Sequence, residues 1–314
     1  MRKLSPVAVW ALIVGLGVAA AGCGQFNMLR AKMNFKDANA AYQAQDYRRA
    51  VDKYTATIES DPTITVAYFY LGNSYDNLYL ARGAASGDDL IANAVTNYKK
   101  AAELEQNAEL KKLALEYLVA AYGPDKLNDP SQAEPILQQI ITLAPNEPTY
   151  YFQLSKIYEE NGDYEHAEQA LDKAREVKPA DPAVYMQLAG YHNRQGDFEK
   201  TIEALNQRVA QEPNNPEAYY TVSTYYWDKA YRDFKLTDAE KRKYAQAGVD
   251  SVDKALGLRP DYVEALAYKN LLLRLQANLE PNAGRQQALL KQADKLRDQA
   301  ESLRKTKAQG AGGN

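Results

Sequence analysis

The chain has one cysteine, Cys23, in 314 residues, so no disulfide can form within it. Histidine is nearly as scarce. His166 and His192 are the only two, and neither has a second His or a Cys at metal-ligand spacing. No Ser–His–Asp arrangement is legible by spacing. No glycine-rich phosphate loop is present either: Gly15-Leu16-Gly17 lies inside an apolar run, and Gly83–Asp89 lacks the Lys-Ser or Lys-Thr ending. Asp88-Asp89 stands without the rest of a calcium loop. An excess of positive charge is missing as well: the net charge of −3 and a pI near 5.7 argue against a general nucleic-acid binder. These absences predict no catalytic residue, no metal, no cofactor, no small-molecule substrate and no nucleic-acid partner.

What the chain does have is a period. Pro145, Pro179 and Pro213 are 34 residues apart, as are Pro148, Pro182 and Pro216. Tyr151, Tyr185 and Tyr219 keep the same step, and so do Leu154, Leu188 and Val222. A period of this size predicts stacked copies of one small unit in place of a single globular core. Within one copy, Tyr151, Leu154, Ser155 and Tyr158 fall at i, i+3, i+4 and i+7, which is one face of a helix. Asn161-Gly162-Asp163 breaks that helix, and Ala167, Leu171 and Ala174 resume helical spacing. Pro179 then prevents continuation. Each copy thus reads as a helical hairpin with small residues, such as Ser155 and Ala167, where its helices approach.

Residues Tyr151, Leu154, Ser155, Tyr158, Gly162, Tyr164, Ala167, Leu171, Ala174 and Pro179 together resemble the tetratricopeptide repeat (TPR) pattern. The resemblance implies an all-α fold, an α-solenoid in which hairpins wind into a right-handed superhelix. Six hairpins are expected over residues 31–262, with insertions near 78–87 and 231–243. The third copy, 109–147, fits most loosely; Ser131 and Glu134 offer a capping box there, with Pro135 in the first turn of its second helix. In the fifth copy Thr201 and Arg208 take places that are normally Ala, and His192 takes a tyrosine place, which predicts a packing role for it. Residues 263–306 read as a terminal helix pair. Its seam of Leu289, Ala293, Leu296, Ala300 and Leu303 suits a C-terminal capping helix, or a coiled coil with another chain. A Gly-rich tail, 307–314, is expected to be disordered.

The first 22 residues differ in kind. Arg2 and Lys3 precede the apolar run Val7–Ala21, and Ala20-Ala21-Gly22 precede Cys23. This layout is that of a secretory signal peptide. The run is also shorter than the roughly 20 residues a spanning helix needs. The cysteine after small residues resembles a bacterial lipobox, with Ala20 where Leu is usual. That resemblance implies lipidation at Cys23 after removal of 1–22, a short tether over 23–30, and attachment to the outer membrane facing the periplasm. Ordinary cleavage with a free thiol and an uncleaved anchor are the other two outcomes.

In TPR proteins the first helix of each hairpin lines a concave groove. Carried onto this chain, the resemblance nominates Phe35, Phe69, Phe152, Met186 and Tyr220 at the fifth place of five copies, with Glu116 in the third copy. Asn39, Asn73, Lys156 and Thr224 take the ninth place, and Tyr42, Arg194 and Trp227 further lining places. Rings interleaved with amides suit an extended peptide or a helix of a protein partner. Several of these rings can equally serve as core. A second candidate surface is the basic insertion Tyr231–Tyr244. The whole layout is similar to TPR lipoproteins of pilus secretin or outer-membrane protein assembly, which implies a non-catalytic envelope adaptor. The alternatives are a soluble periplasmic or secreted scaffold, and an accessory subunit organising a cell-wall or carbohydrate-active enzyme.

Overall fold

Residues 6–82 and 89–311 are described by a computed structural model, with side chains over 25–80 and 89–308. Residues 1–5 of the expected signal, the Cys23 side chain, the core of the first insertion at 83–88 and the last residues 312–314 lie outside that description. Among the described residues the secondary structure is fourteen α-helices and no strand. The chain divides into two compact units, Met1–Asn161 and Gly162–Asn314.

The first unit holds α1 (Pro6–Gln43), α2 (Tyr47–Ser60), α3 (Thr65–Arg82), α4 (Leu90–Leu104), α5 (Ala108–Ala121), α6 (Pro130–Leu143) and α7 (Pro148–Glu160). Consecutive helices pack on one another throughout it. Its first core is made by Ala38, Ala50, Tyr54, Ala67 and Leu71. Tyr98, Leu115, Leu118, Leu137, Ile140 and Leu154 make the next. The Leu71-Gly72 pair of the repeat pattern has a direct cause: a Cβ on Gly72 would lie 2.8 Å from Cδ1 of Tyr98 and 3.1 Å from the Ala94 carbonyl oxygen. Only a bare Cα lets α3 and α4 come so close.

The second unit holds α8 (Tyr164–Val177), α9 (Pro182–Arg194), α10 (Phe198–Gln211), α11 (Pro216–Arg232), α12 (Asp238–Leu258), α13 (Val263–Leu279) and α14 (Ala283–Ala311). Helices α9 and α10, α11 and α12, and α13 and α14 form its hairpins. The α14 seam is used within the chain. Ala293 and Ala300 are buried, and Leu289, Leu296 and Leu303 pack on the α12–α13 core. This is the capping arrangement, with its polar side outward.

The recurring prolines and tyrosines act together. Pro148, Pro182 and Pro216 are each the first helical residue, where a missing N–H costs nothing. The residue before each is the cap: Glu147, Asp181 and Asn215 accept from the N–H groups of Thr149, Ala183 and Glu217. The tyrosine hydroxyls then reach back to the preceding turn. Tyr151 donates to the Pro145 carbonyl (3.0 Å), Tyr185 to Pro179 (2.6 Å) and Tyr219 to Pro213 (3.1 Å). Gly162 and Gly196 take φ of +77°, which a side chain resists, and Gln45 holds the corresponding turn of the first hairpin at φ 59°.

Three boundary expectations change. The proposed tether at 23–30 is helical and continuous with α1, because no Gly or Pro interrupts residues 25–43. The tail expected to be disordered from 307 is helical through Ala311, since Lys307, Ala308 and Gln309 are good helix formers. The described parts of the insertions lengthen helices: α3 runs 18 residues to Arg82, and α11 and α12, with 17 and 21 against 13 in α7, flank a short turn at 233–237. In place of the Ser131–Glu134 capping box, α6 begins two residues earlier, at Pro130 with Asp129 as its cap, and the Ser131 hydroxyl donates to Asp129. Pro130 favours that start because it supplies the first helical residue. Pro135 consequently falls inside the helix, past its first turn. The capping box that does form is Thr237 with Glu240, at the head of α12.

Candidate functional site

Helices α5, α6 and α7 leave a cleft of about 800 Å³ between them, wholly within the first unit. It arises from the joint between α5 and α6. The α9–α10 turn needs only Gln195–Asp197, whereas α5 and α6 are joined by Tyr122–Asp129. That longer connection folds on itself. Leu127 N–H donates to Ala121, Asn128 N–H to Gly123 and Asp129 N–H to Tyr122. Asn128 takes φ of 50°, a conformation Asn accepts more readily than most residues. Lys126 fastens the connection to α3 through an ion pair with Asp76 at 2.6 Å, with 12% and 5% of the two side chains exposed. Tyr98 adds a hydroxyl hydrogen bond to the same carboxylate oxygen, Oδ2, at 3.3 Å. Asp76 Oδ1 is buried without a partner among the described residues.

The floor of the cleft is apolar, with Val119, Ala133, Leu137 and Ile157. Its rim is charged, with Lys112, Glu116, Glu147, Lys156 and Glu160. The rim is organised around Tyr150, whose hydroxyl donates to Glu116. Burial, and then that hydrogen bond, push the Tyr150 hydroxyl well above the usual tyrosine range, so it remains a donor at neutral pH. Glu147 caps α7, accepting from the Thr149 hydroxyl at 2.9 Å. Lys112 is tied to Glu109 at 2.7 Å, and the hydrogen bond between them raises its pKa. Counted in the repeat register, Glu116, Ala120, Gly123 and Pro124 take the fifth, ninth, twelfth and thirteenth places of the third copy. The cleft therefore opens on the face nominated for a partner.

The nominated residues fare unevenly. Lys156 lines the cleft, exposed and loosely paired with Glu160 at 3.7 Å. Phe152 is half-buried and does not line it. Phe69 and Asn73 are buried, so neither is open to a ligand. Phe69 packs against the rings of Tyr98 and Tyr117, because the next helices close over it. Asn73 accepts from the Tyr42 hydroxyl, and Asn39 from the Tyr54 hydroxyl at 2.6 Å. The carbonyl oxygens of both amides are thus taken by neighbouring tyrosines. Phe35 sits edge-on to Tyr54, 6.0 Å between centroids.

In the second unit, Met186 receives a hydrogen bond from the buried Arg208 guanidinium at 2.9 Å. Tyr220 packs on Tyr262 and Tyr268, while Trp227 stacks on Tyr231 at 4.8 Å. Arg194 is exposed. His192 is buried against Tyr191 as a packing residue, and desolvation lowers its pKa. In the basic insertion Tyr231 and Phe234 are exposed at the α11–α12 turn, while Arg232 pairs with Asp228.

Sequence reasoning missed Tyr150 and Glu147. Their signal was present: Glu147 precedes Pro148, as a cap should, and Tyr150 stands one turn from it. No group of three or more metal-ligating side chains occurs among the described residues.

Two tetratricopeptide repeat models match the sequence, over residues 126–191 and 182–222. Curated proteins give no match. Among solved structures, the chain is similar to the C-terminal part of a TPR repeat-containing protein from Cytophaga hutchinsonii, at 15% identity and a TM-score of 0.57, covering 86% of this chain and 98% of that one. It is also similar to MamA at 19% identity and a TM-score of 0.46, covering 66% of this chain and 98% of that one. A third similar structure is PilW, described as a type IV pilus biogenesis factor, at 16% identity and a TM-score of 0.42, covering 80% and 98%. The first of these carries the fold. With the repeat models over residues 126–222, the 34-residue step and its proline–tyrosine fastening, it shows that this chain has the tetratricopeptide repeat fold.

Proposed function

We propose that this chain is a lipid-anchored, non-catalytic adaptor of the cell envelope that holds a segment of a protein partner in the α5–α7 cleft. A TPR stack serves protein interaction, and the observation that carries this reading is the cleft itself. It joins an apolar floor, able to bury a side chain, to a rim of charged groups that set orientation, and it opens on the first-helix face of the third and fourth copies. Anchoring rests on Cys23 following Ala20-Ala21-Gly22, and on the apolar run before it. A role in pilus or outer-membrane assembly rests on layout alone.

Two measurements test the two halves. Ala120 is exposed on the cleft wall, so Ala120→Trp fills the space without entering the core. Capture of partners from envelope extracts should fall away with A120W. Undiminished capture by a folded A120W chain refutes the cleft. Fatty-acid labelling that persists in Cys23→Ala refutes the anchor.

A further inference from the structure

We infer that the α5–α7 cleft takes a partner segment presenting a lysine or arginine beside a large apolar side chain; the inference rests on the cleft being the partner site. The reason is an imbalance of charge at the mouth. Around Tyr150 and Lys112 stand Glu109, Glu116 and Glu147, all three acting on the Tyr150 hydroxyl. Lys112 is the cation set among them, and its ammonium is committed to Glu109. Neither Glu116 nor Glu147 has an ion-pair partner within 4 Å among the described residues. Lys156 faces its own carboxylate, Glu160.

The hydrogen-bond inventory points the same way. Tyr150 has one hydroxyl proton to give, and it goes to Oε1 of Glu116. Glu147 spends Oε1 on the Thr149 hydroxyl and backbone. The second oxygen of each carboxylate is left with acceptor capacity and no protein donor among the described residues. An ammonium or guanidinium supplies several charged donors of the kind these acceptors lack. A ligand carboxylate would meet like charge at the same place and be repelled. The floor of Val119, Leu137 and Ile157 then receives an apolar neighbour of that cation. A cleft of about 800 Å³ has room for both, falling within the roughly 300–1,000 Å³ of ordinary ligand sites.

The test is selection of phage-displayed random dodecapeptides on the full chain held in detergent, followed by titration of fluorescent copies of the enriched peptides. The expected peptides carry Lys or Arg within two residues of Leu, Ile, Phe or Trp. Glu116→Gln and Glu147→Gln should each weaken them about tenfold, a loss of about 1.4 kcal/mol, and A120W should abolish binding. In E116Q the new amide oxygen still accepts from Tyr150, so folding is kept; far-UV circular dichroism checks it. Peptides that lack a cation, or that ignore both E116Q and E147Q yet still require an open cleft, overturn this inference and leave the adaptor reading standing. Peptides indifferent to A120W, or no enrichment at all, overturn the cleft as a partner site.

Discussion

Replacing Lys126 by methionine tests how the α5–α6 connection is held. Methionine keeps most of the apolar stem and removes the ammonium, so the change isolates charge from packing. In the native chain the Asp76 carboxylate is 5% exposed and shares one oxygen between Lys126 at 2.6 Å and the Tyr98 hydroxyl at 3.3 Å. Its other oxygen has no partner among the described residues, so Lys126 supplies nearly all the compensation. Breaking a buried pair from one side typically costs about 3–5 kcal/mol, because an uncompensated charge stays inside. With a urea slope of about 2 kcal/mol per molar, the midpoint should drop by about 2 M. The assay is urea denaturation followed by far-UV circular dichroism, comparing wild type, K126M, D76N and K126M/D76N. The double variant should recover most of the loss, since a neutral amide no longer needs a countercharge. A K126M loss below about 1 kcal/mol, or a double variant no better than K126M, would refute a buried pair as the fastening.

Three further outcomes follow from single residues. Gln45→Gly should stabilise by about 0.5–1 kcal/mol in thermal melts, because Gln45 holds φ of 59° where the other turns use Gly162 and Gly196; a lower melting temperature would contradict it. Tyr185→Phe should cost about 0.5–1.5 kcal/mol by removing the 2.6 Å hydrogen bond to Pro179, and an unchanged midpoint would show that ring packing alone sets this position. Burial depresses the His192 pKa, so the stability from keeping it neutral is full above the unfolded value of about 6.5 and is lost as pH falls through that value toward the folded one. His192→Gln should therefore shrink the difference in melting temperature between about pH 7.5 and about pH 5.5; an undiminished difference would place the titration elsewhere.

The repeat was legible because its fastening uses residues of distinctive chemistry. Proline at the helix start, a short polar cap before it and a tyrosine hydroxyl reaching the earlier proline carbonyl all need fixed spacing. Gly162 was legible for the same reason, as its φ of +77° excludes most side chains. The cleft was not, because it comes from what the third copy departs from. Its eight-residue connection, Tyr122–Asp129, leaves no periodic trace, and the groove positions there read as Glu116 and Ala120 in place of a ring and an amide. The pairings of Asn39 with Tyr54 and Asn73 with Tyr42 join residues 15 and 31 positions apart. Helical spacing places each on a face but says nothing of which side chain across the packing will satisfy it.

The tyrosine–proline tie has a mechanical corollary. A helix that begins at Pro182 or Pro216 is lashed to the turn just before it by its own fourth residue. The step of the chain from one hairpin into the next is then fastened by a short local brace that uses no residue of the outer or inner surface. Those surfaces can be re-cut for a new partner while the braced turn beneath keeps its geometry.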